Sequence, residues 1–178
     1  LQPGISWSPD SKQIVIAAKA GATDALYLID IKSGNQEKIK FELDGVFTAS
    51  WSPNGNKLAF VGNEGGASDI YIYDLQSKET TNITNDIYSD TEPSWSPDGE
   101  LIAFISDRGN NYKSENTTAI DMLGHNYEQR NVYTIDLVSK KINQVTDSDY
   151  NENYPIFANT KNTIFYTADY QGTWNLFR

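Results

Sequence analysis

The chain contains no cysteine, one histidine and one methionine among its 178 residues. Without cysteine there are no disulfides, thiolate metal sites or sulfur nucleophiles. A single histidine, His125, leaves little for imidazole metal ligation or acid–base chemistry. Basic residues are also scarce, with 14 Lys and Arg against 24 Asp and Glu and a formal charge of −10. That balance argues against nucleic acid as a partner, because phosphate binding needs clustered cations. No apolar run is long enough to span a bilayer as a helix, and no helical periodicity persists over ten residues. Gly-x-Ser-x-Gly and phosphate-binding glycine loops are absent, so a serine-hydrolase elbow does not lie in this segment. The chain is therefore expected to be non-enzymatic and to need no cofactor.

Large side chains are abundant: 11 Tyr, 7 Phe and 4 Trp. They can fill a core, which excludes general disorder, and the length fits one domain better than two. Three of the tryptophans mark a period. Ser6-Trp7-Ser8-Pro9-Asp10, Ser50-Trp51-Ser52-Pro53-Asn54 and Ser94-Trp95-Ser96-Pro97-Asp98 recur at intervals of 44 residues. Asp30 and Asp74 keep that register, and Asp136 keeps it after an insertion of 18 residues. Phe157 takes the tryptophan's place in a fourth, degenerate unit, with Asp169 matching Asp107.

Each unit reads as four short strands. The turn Ser96-Pro97-Asp98-Gly99 separates a first strand from the apolar run Leu101–Ile105, followed by Val132–Ile135 and Ile142–Thr146. Four-stranded units of this length, apolar on both faces, stack as propeller blades. The fold class is all-β: a β-propeller of four four-stranded blade units, the last incomplete. The units run approximately 4–47, 48–91, 92–153 with an insertion at 110–130, and 154–178. Trp7, Trp51 and Trp95 are expected to fill the gaps between blades.

The run Ser94-Trp95-Ser96-Pro97-Asp98-Gly99-Glu100-Leu101-Ile102-Ala103-Phe104-Ile105-Ser106-Asp107-Arg108-Gly109 resembles the repeat of TolB-type (WD40-like) β-propellers. So does Val132-Tyr133-Thr134-Ile135-Asp136-Leu137 with Gln144-Val145-Thr146. The resemblance implies a periplasmic or cell-surface protein-binding module. It is also compatible with the substrate-gating propellers of prolyl-oligopeptidase- and tricorn-type proteases, here without a catalytic domain. The incomplete fourth unit and its open strand edge lead to the expectation of a fragment of a longer propeller, or of a homodimer completed through the open propeller edges.

Propeller geometry sorts the charges. The connections 41–50, 85–93 and 147–155 carry eight acids and no Lys or Arg. An acidic loop face follows, suited to a basic protein surface. Its candidate binding residues are Asp44, Asp86, Asp90, Glu92, Asp147, Asp149 and Glu152. Asp107 and Arg108 follow a second strand and project to the same face. Their plain structural role would be loop capping and local ion pairing. The 110–130 insertion adds Tyr112, His125 and Tyr127 as a lid or partner contact, with His125 read as a surface side chain. Clustered carboxylates and Asn oxygens also suit Ca²⁺, although no segment has an Asp-x-Asp-x-Asp-Gly loop with its distal Glu. A glycan-binding or glycan-cleaving propeller is a third reading.

Overall fold

The computed structural model describes residues 4–109 and 125–178. These form four separate antiparallel sheets, and no α-helix occurs among the described residues. Blade one contains β1 (Ile5–Trp7), β2 (Gln13–Lys19), β3 (Asp24–Asp30) and β4 (Gln36–Lys40). Blade two contains β5 (Gly45–Trp51), β6 (Lys57–Glu64), β7 (Ala67–Asp74) and β8 (Thr80–Asn82). Blade three contains β9 (Asp90–Trp95), β10 (Leu101–Ser106), β11 (Asn131–Asp136) and β12 (Ile142–Gln144). Blade four has three strands, β13 (Glu152–Phe157), β14 (Ile164–Tyr170) and β15 (Thr173–Phe177). Strand order within every sheet follows the chain, as in a partial propeller.

The repeated turns are built from the residues that mark the period. Ser8, Ser52 and Ser96 each donate a hydroxyl to the residue two positions on, Asp10, Asn54 and Asp98. Each hydroxyl also accepts the N–H of the residue opening the next strand, at 2.9 Å. The fourth turn position is left-handed, with φ of 77° at Gly55 and 74° at Gly99. Glycine takes that conformation freely, whereas blade one places Ser11 there at 58°. At the far end of the third strands, Asp74 and Asp136 accept backbone N–H groups two and three residues on, and Asp30 accepts that of Ser33.

Two apolar clusters lie between blades rather than inside one. Leu26, Leu28 and Ile39 of blade one meet Trp51, Leu58, Phe60 and Tyr71 of blade two. Val61, Ile70 and Ile72 of blade two meet Trp95, Ile102, Phe104 and Tyr133 of blade three. Alternation along each strand sends one set of side chains forward and the other back. Trp51 and Trp95 are each 8% exposed. Each buried indole removes roughly 200 Å² from water, an upper-bound stabilisation of about 5 kcal/mol. Trp7, expected in the same role, is 55% exposed, as no sheet among the described residues stands against its side of blade one. Its neighbour Ile5 is exposed with it, as are Ile156, Trp174 and Leu176 on the outer side of blade four.

The innermost strands begin earlier than the turn spacing predicts, at Asp90 and Glu152. Each carries a bulge: register slips beside Thr91–Ser94 in β9 and between Asn153 and Ile156 in β13. Glu92 and Tyr154 hold the equivalent left-handed positions there, with φ of 57° and 56°, each just before a proline. A bulge re-aims side chains at the end of a strand. Here the Glu92 carboxylate accepts the Tyr154 N–H at 2.5 Å, tying the inner strands of blades three and four together.

Candidate functional site: the inter-blade loop face

Arg108 organises the middle of this face. It stands two residues beyond Ser106, whose partner in the β9–β10 ladder is Asp90. That pairing carries the guanidinium over the start of β9. Nη2 donates to both carboxylate oxygens of Asp90, at 2.7 and 2.6 Å. Nη1 lies 3.0 Å from Asp86, and Nε donates to the Ser106 hydroxyl at 2.9 Å. Phe104, Tyr88 and Tyr133 surround the cation, their ring centres 5.3, 5.5 and 5.6 Å from its central carbon. At these distances ring quadrupoles stabilise the positive charge. Arg108 and Asp90 are both buried.

The electrostatics follow from two carboxylates sharing one cation in a dry environment. Burial pushes the Asp90 carboxyl up to about 7 against the opposing pull of Arg108, with Asp86 adding to the rise. Burial also raises Asp86, again against Arg108. Asp69 closes the group, and oxygens of Asp69, Asp86 and Asp90 lie within 4.8 Å of one another. Asp69 in turn accepts from Asn82, Thr84 and the Asp86 N–H. The protein's own guanidinium engages two of these three carboxylates, Asp86 and Asp90.

Several candidate residues are therefore interior, not surface. Asp90 and Glu152, expected on an exposed acidic face, lie fully buried on the inner strands. Glu152 accepts the Val132 N–H at 3.0 Å, the Ser148 hydroxyl at 2.7 Å and the Thr146 hydroxyl. Asp107 is buried and accepts the Ser89 N–H at 2.9 Å. Arg108 pairs locally, which matches its plain structural role. His125, read as a surface side chain, is instead covered: its Nε2 lies 3.5 Å from Asp107, and its ring packs near Tyr88 and against Tyr127. Glu92 is half-buried, and burial raises its carboxyl against the Tyr154 N–H and the charge of Arg130. Tyr112 lies outside the described residues.

The residues that stay exposed are Asp44, Asp147, Asp149 and Tyr127, together with Glu42, Ile87 and Tyr150. Asp44 still accepts the Gly65 N–H at 3.0 Å. Sequence reasoning missed Asp69 and Tyr88 beside Arg108, and the group Arg130, Asn151, Asn153 and Trp174 around a surface cleft. The β9–β10 register, extended back to Asp90, was the one signal that could have joined Arg108 to the acids.

The likeness of the chain to known proteins agrees with the propeller fold. The TolB beta propeller domain model matches residues 2–114, and the chain belongs to that family. TolB from Acinetobacter baumannii superposes with a TM-score of 0.73 at 22% identity, over 97% of this chain and 39% of that one. The tricorn protease is similar over 89% of this chain and 14% of its own, with 18% identity and a TM-score of 0.61. Puromycin hydrolase is similar over 98% and 26%, with 13% identity and a TM-score of 0.67. The chain thus spans about two fifths of the Acinetobacter baumannii TolB, and these likenesses concern the fold. No curated protein sequence matches it significantly.

Proposed function

We propose that the chain is a non-catalytic, protein-binding propeller segment of TolB-like type, acting in the periplasm or at the cell surface. The observation that carries this reading is the charge left on the loop face once Arg108 has drawn Asp86 and Asp90 inward. Glu42, Asp44, Asp147 and Asp149 remain in solvent, with no Lys or Arg on their connections. Exposed Ile87 and Tyr150 supply apolar area beside them. Tyrosine among unpaired carboxylates suits a basic protein surface, with the charges steering encounter. Pull-down from a periplasmic extract should lose its salt-sensitive partner when Asp44, Asp147 and Asp149 are changed together to Asn. Undiminished capture refutes the reading.

A substrate-gating propeller attached to a protease is the second reading, supported by the likeness to the tricorn protease and puromycin hydrolase. A Gly-x-Ser-x-Gly elbow in flanking sequence would favour it. As an isolated chain, the segment also carries two uncovered sheet faces, one with Ile5 and Trp7 and one with Trp174 and Leu176. The first occupies the positions that pack backward between blades, the second those that pack forward, so two copies can cover each other. A compact monomer in dilute light scattering would exclude this association.

A further inference from the structure

We propose that Asn54 is a deamidation site in the folded protein, and that its aspartate product fits the same turn. Asn54-Gly55 is the one Asn-Gly pair in the sequence. It lies in the turn between β5 and β6, where blades one and three carry Asp10 and Asp98. Asn54 is exposed, so water reaches its carboxamide. The Ser52 hydroxyl donates to its Oδ1 at 2.9 Å and the Asn56 N–H at 3.1 Å. Both bonds draw electron density from Cγ and stabilise the charge that gathers on Oδ1 during attack. Gly55 has a φ of 77° and no Cβ, which leaves the approach of its nitrogen to that carbon unhindered.

The reaction needs only water. The Gly55 nitrogen gives up its proton to solvent base and bonds to Cγ of Asn54. The Cγ–Nδ2 bond breaks and ammonia leaves, which closes a five-membered imide. Water then adds to either imide carbonyl. Opening at Cγ gives aspartate, and opening at the main-chain carbonyl gives isoaspartate; no group is oxidised or reduced. In the resting turn the Gly55 N–H donates to the Ser52 carbonyl at 2.9 Å, so the folded chain reacts more slowly than an unfolded one.

Blade three shows why the carboxamide matters. Asp98 accepts the Ser96 hydroxyl at 2.6 Å and the Glu100 N–H at 3.1 Å, and the Gly99 N–H donates to the Ser96 carbonyl at 2.9 Å. The bonds are those of blade two, but Ser96, the Glu100 N–H and Lys161 hold the Asp98 carboxyl down to about 2. A carboxylate anion is a poor electrophile, and Asp98 is therefore spared. Asp10 and Asp98 also show that an aspartate satisfies the turn, since both accept the same two donors. Isoaspartate adds a carbon to the main chain and draws the carboxylate away from Ser52. The site uses none of Asp44, Asp147 or Asp149 and stands independently of the protein-binding reading.

The test is incubation of the 178-residue chain at mildly alkaline pH, native and in guanidinium chloride, followed by peptide mapping with fragmentation mass spectrometry. The mass gain of an amide-to-acid exchange is expected at Asn54 and not at Asn56 in the native sample. It should be about tenfold slower there than in the unfolded one, the scale of freeing one hydrogen-bonded N–H. Isoaspartate should accompany it, detected by an isoaspartyl methyltransferase, and Asn54→Gln should abolish both. Asn54→Asp should keep the circular dichroism and the urea midpoint of the parent chain. A native sample unchanged at Asn54 once the unfolded one is fully converted overturns the proposal. So does earlier gain at another asparagine of the native chain, isoaspartate forming as fast at Asp98, or loss of the fold in Asn54→Asp.

Discussion

The connections 85–93 and 147–155 are rich in acid and occupy the same place between successive blades, yet they spend their charges differently. In the first, Asp86 and Asp90 turn inward onto Arg108, and Asp90 loses all contact with solvent. In the second, Glu152 takes the place equivalent to Asp90, and no cation among the described residues pairs with it. Its carboxylate is satisfied by the Val132 N–H and the hydroxyls of Thr146 and Ser148. Asp147 and Asp149, which align with Asn85 and Ile87 of the first connection, remain outside. The residue equivalent to Arg108 in blade four is Tyr170, which packs near Tyr150 at 5.0 Å between ring centres. The Asp90 position is thus interior in both connections, held by a cation in one and by hydroxyls and a backbone N–H in the other.

The comparison breaks most visibly at its cation. Arg108→Met leaves Asp90 buried without its partner and should cost about 3–5 kcal/mol in urea unfolding, as for other broken buried ion pairs. Adding Asp90→Asn to that variant should recover a large part of the loss; a strictly additive double mutant would show that the two residues do not act as a pair. In the second connection, Glu152→Ala removes the acceptor of the Thr146 and Ser148 hydroxyls and one of the two acceptors of the Val132 N–H. Its cost should be smaller, about 1–3 kcal/mol by the same measurement. If it exceeds that of Arg108→Met, the hydroxyl-capped arrangement is the stronger lock.

The pH dependence sharpens the contrast. A carboxyl whose folded pKa stands above its unfolded value is favoured in its protonated form. The contribution of Asp90 is therefore complete below 3.8 and is lost as pH rises through about 7. Stability should fall across that window, and Asp90→Asn should flatten the slope; an unchanged slope would remove Asp90 as its source. The smallest effect belongs to Asp147→Asn with Asp149→Asn, which should leave the unfolding midpoint where it was. A large shift there would mean that these acids are structural too.

Much of the fold was legible because its signals are local and repeated. The Ser-x-Ser-Pro turns, the strand-ending aspartates and the 44-residue interval each act within a few residues of themselves. The turn bonds at Ser52 and Ser96 follow directly from them. The site was less legible. Asp90 and Arg108 are 18 residues apart, and their meeting depends on how far β9 extends before its bulge. Read as a loop residue, Asp90 belongs on the surface; read as the first residue of an inner strand, it belongs beneath the sheet. His125 was misplaced for a related reason, since nothing near it in sequence announces the Asp107 and Tyr88 that cover it.

The amino-acid order alone determined a repeated, all-β, strongly acidic chain of propeller blades, because turn chemistry and strand alternation operate over short stretches. Which of its acids face solvent was decided only in three dimensions. The energy of a carboxylate depends on its distance from water and from the nearest cation, and both distances are set by strands packed from separate parts of the sequence.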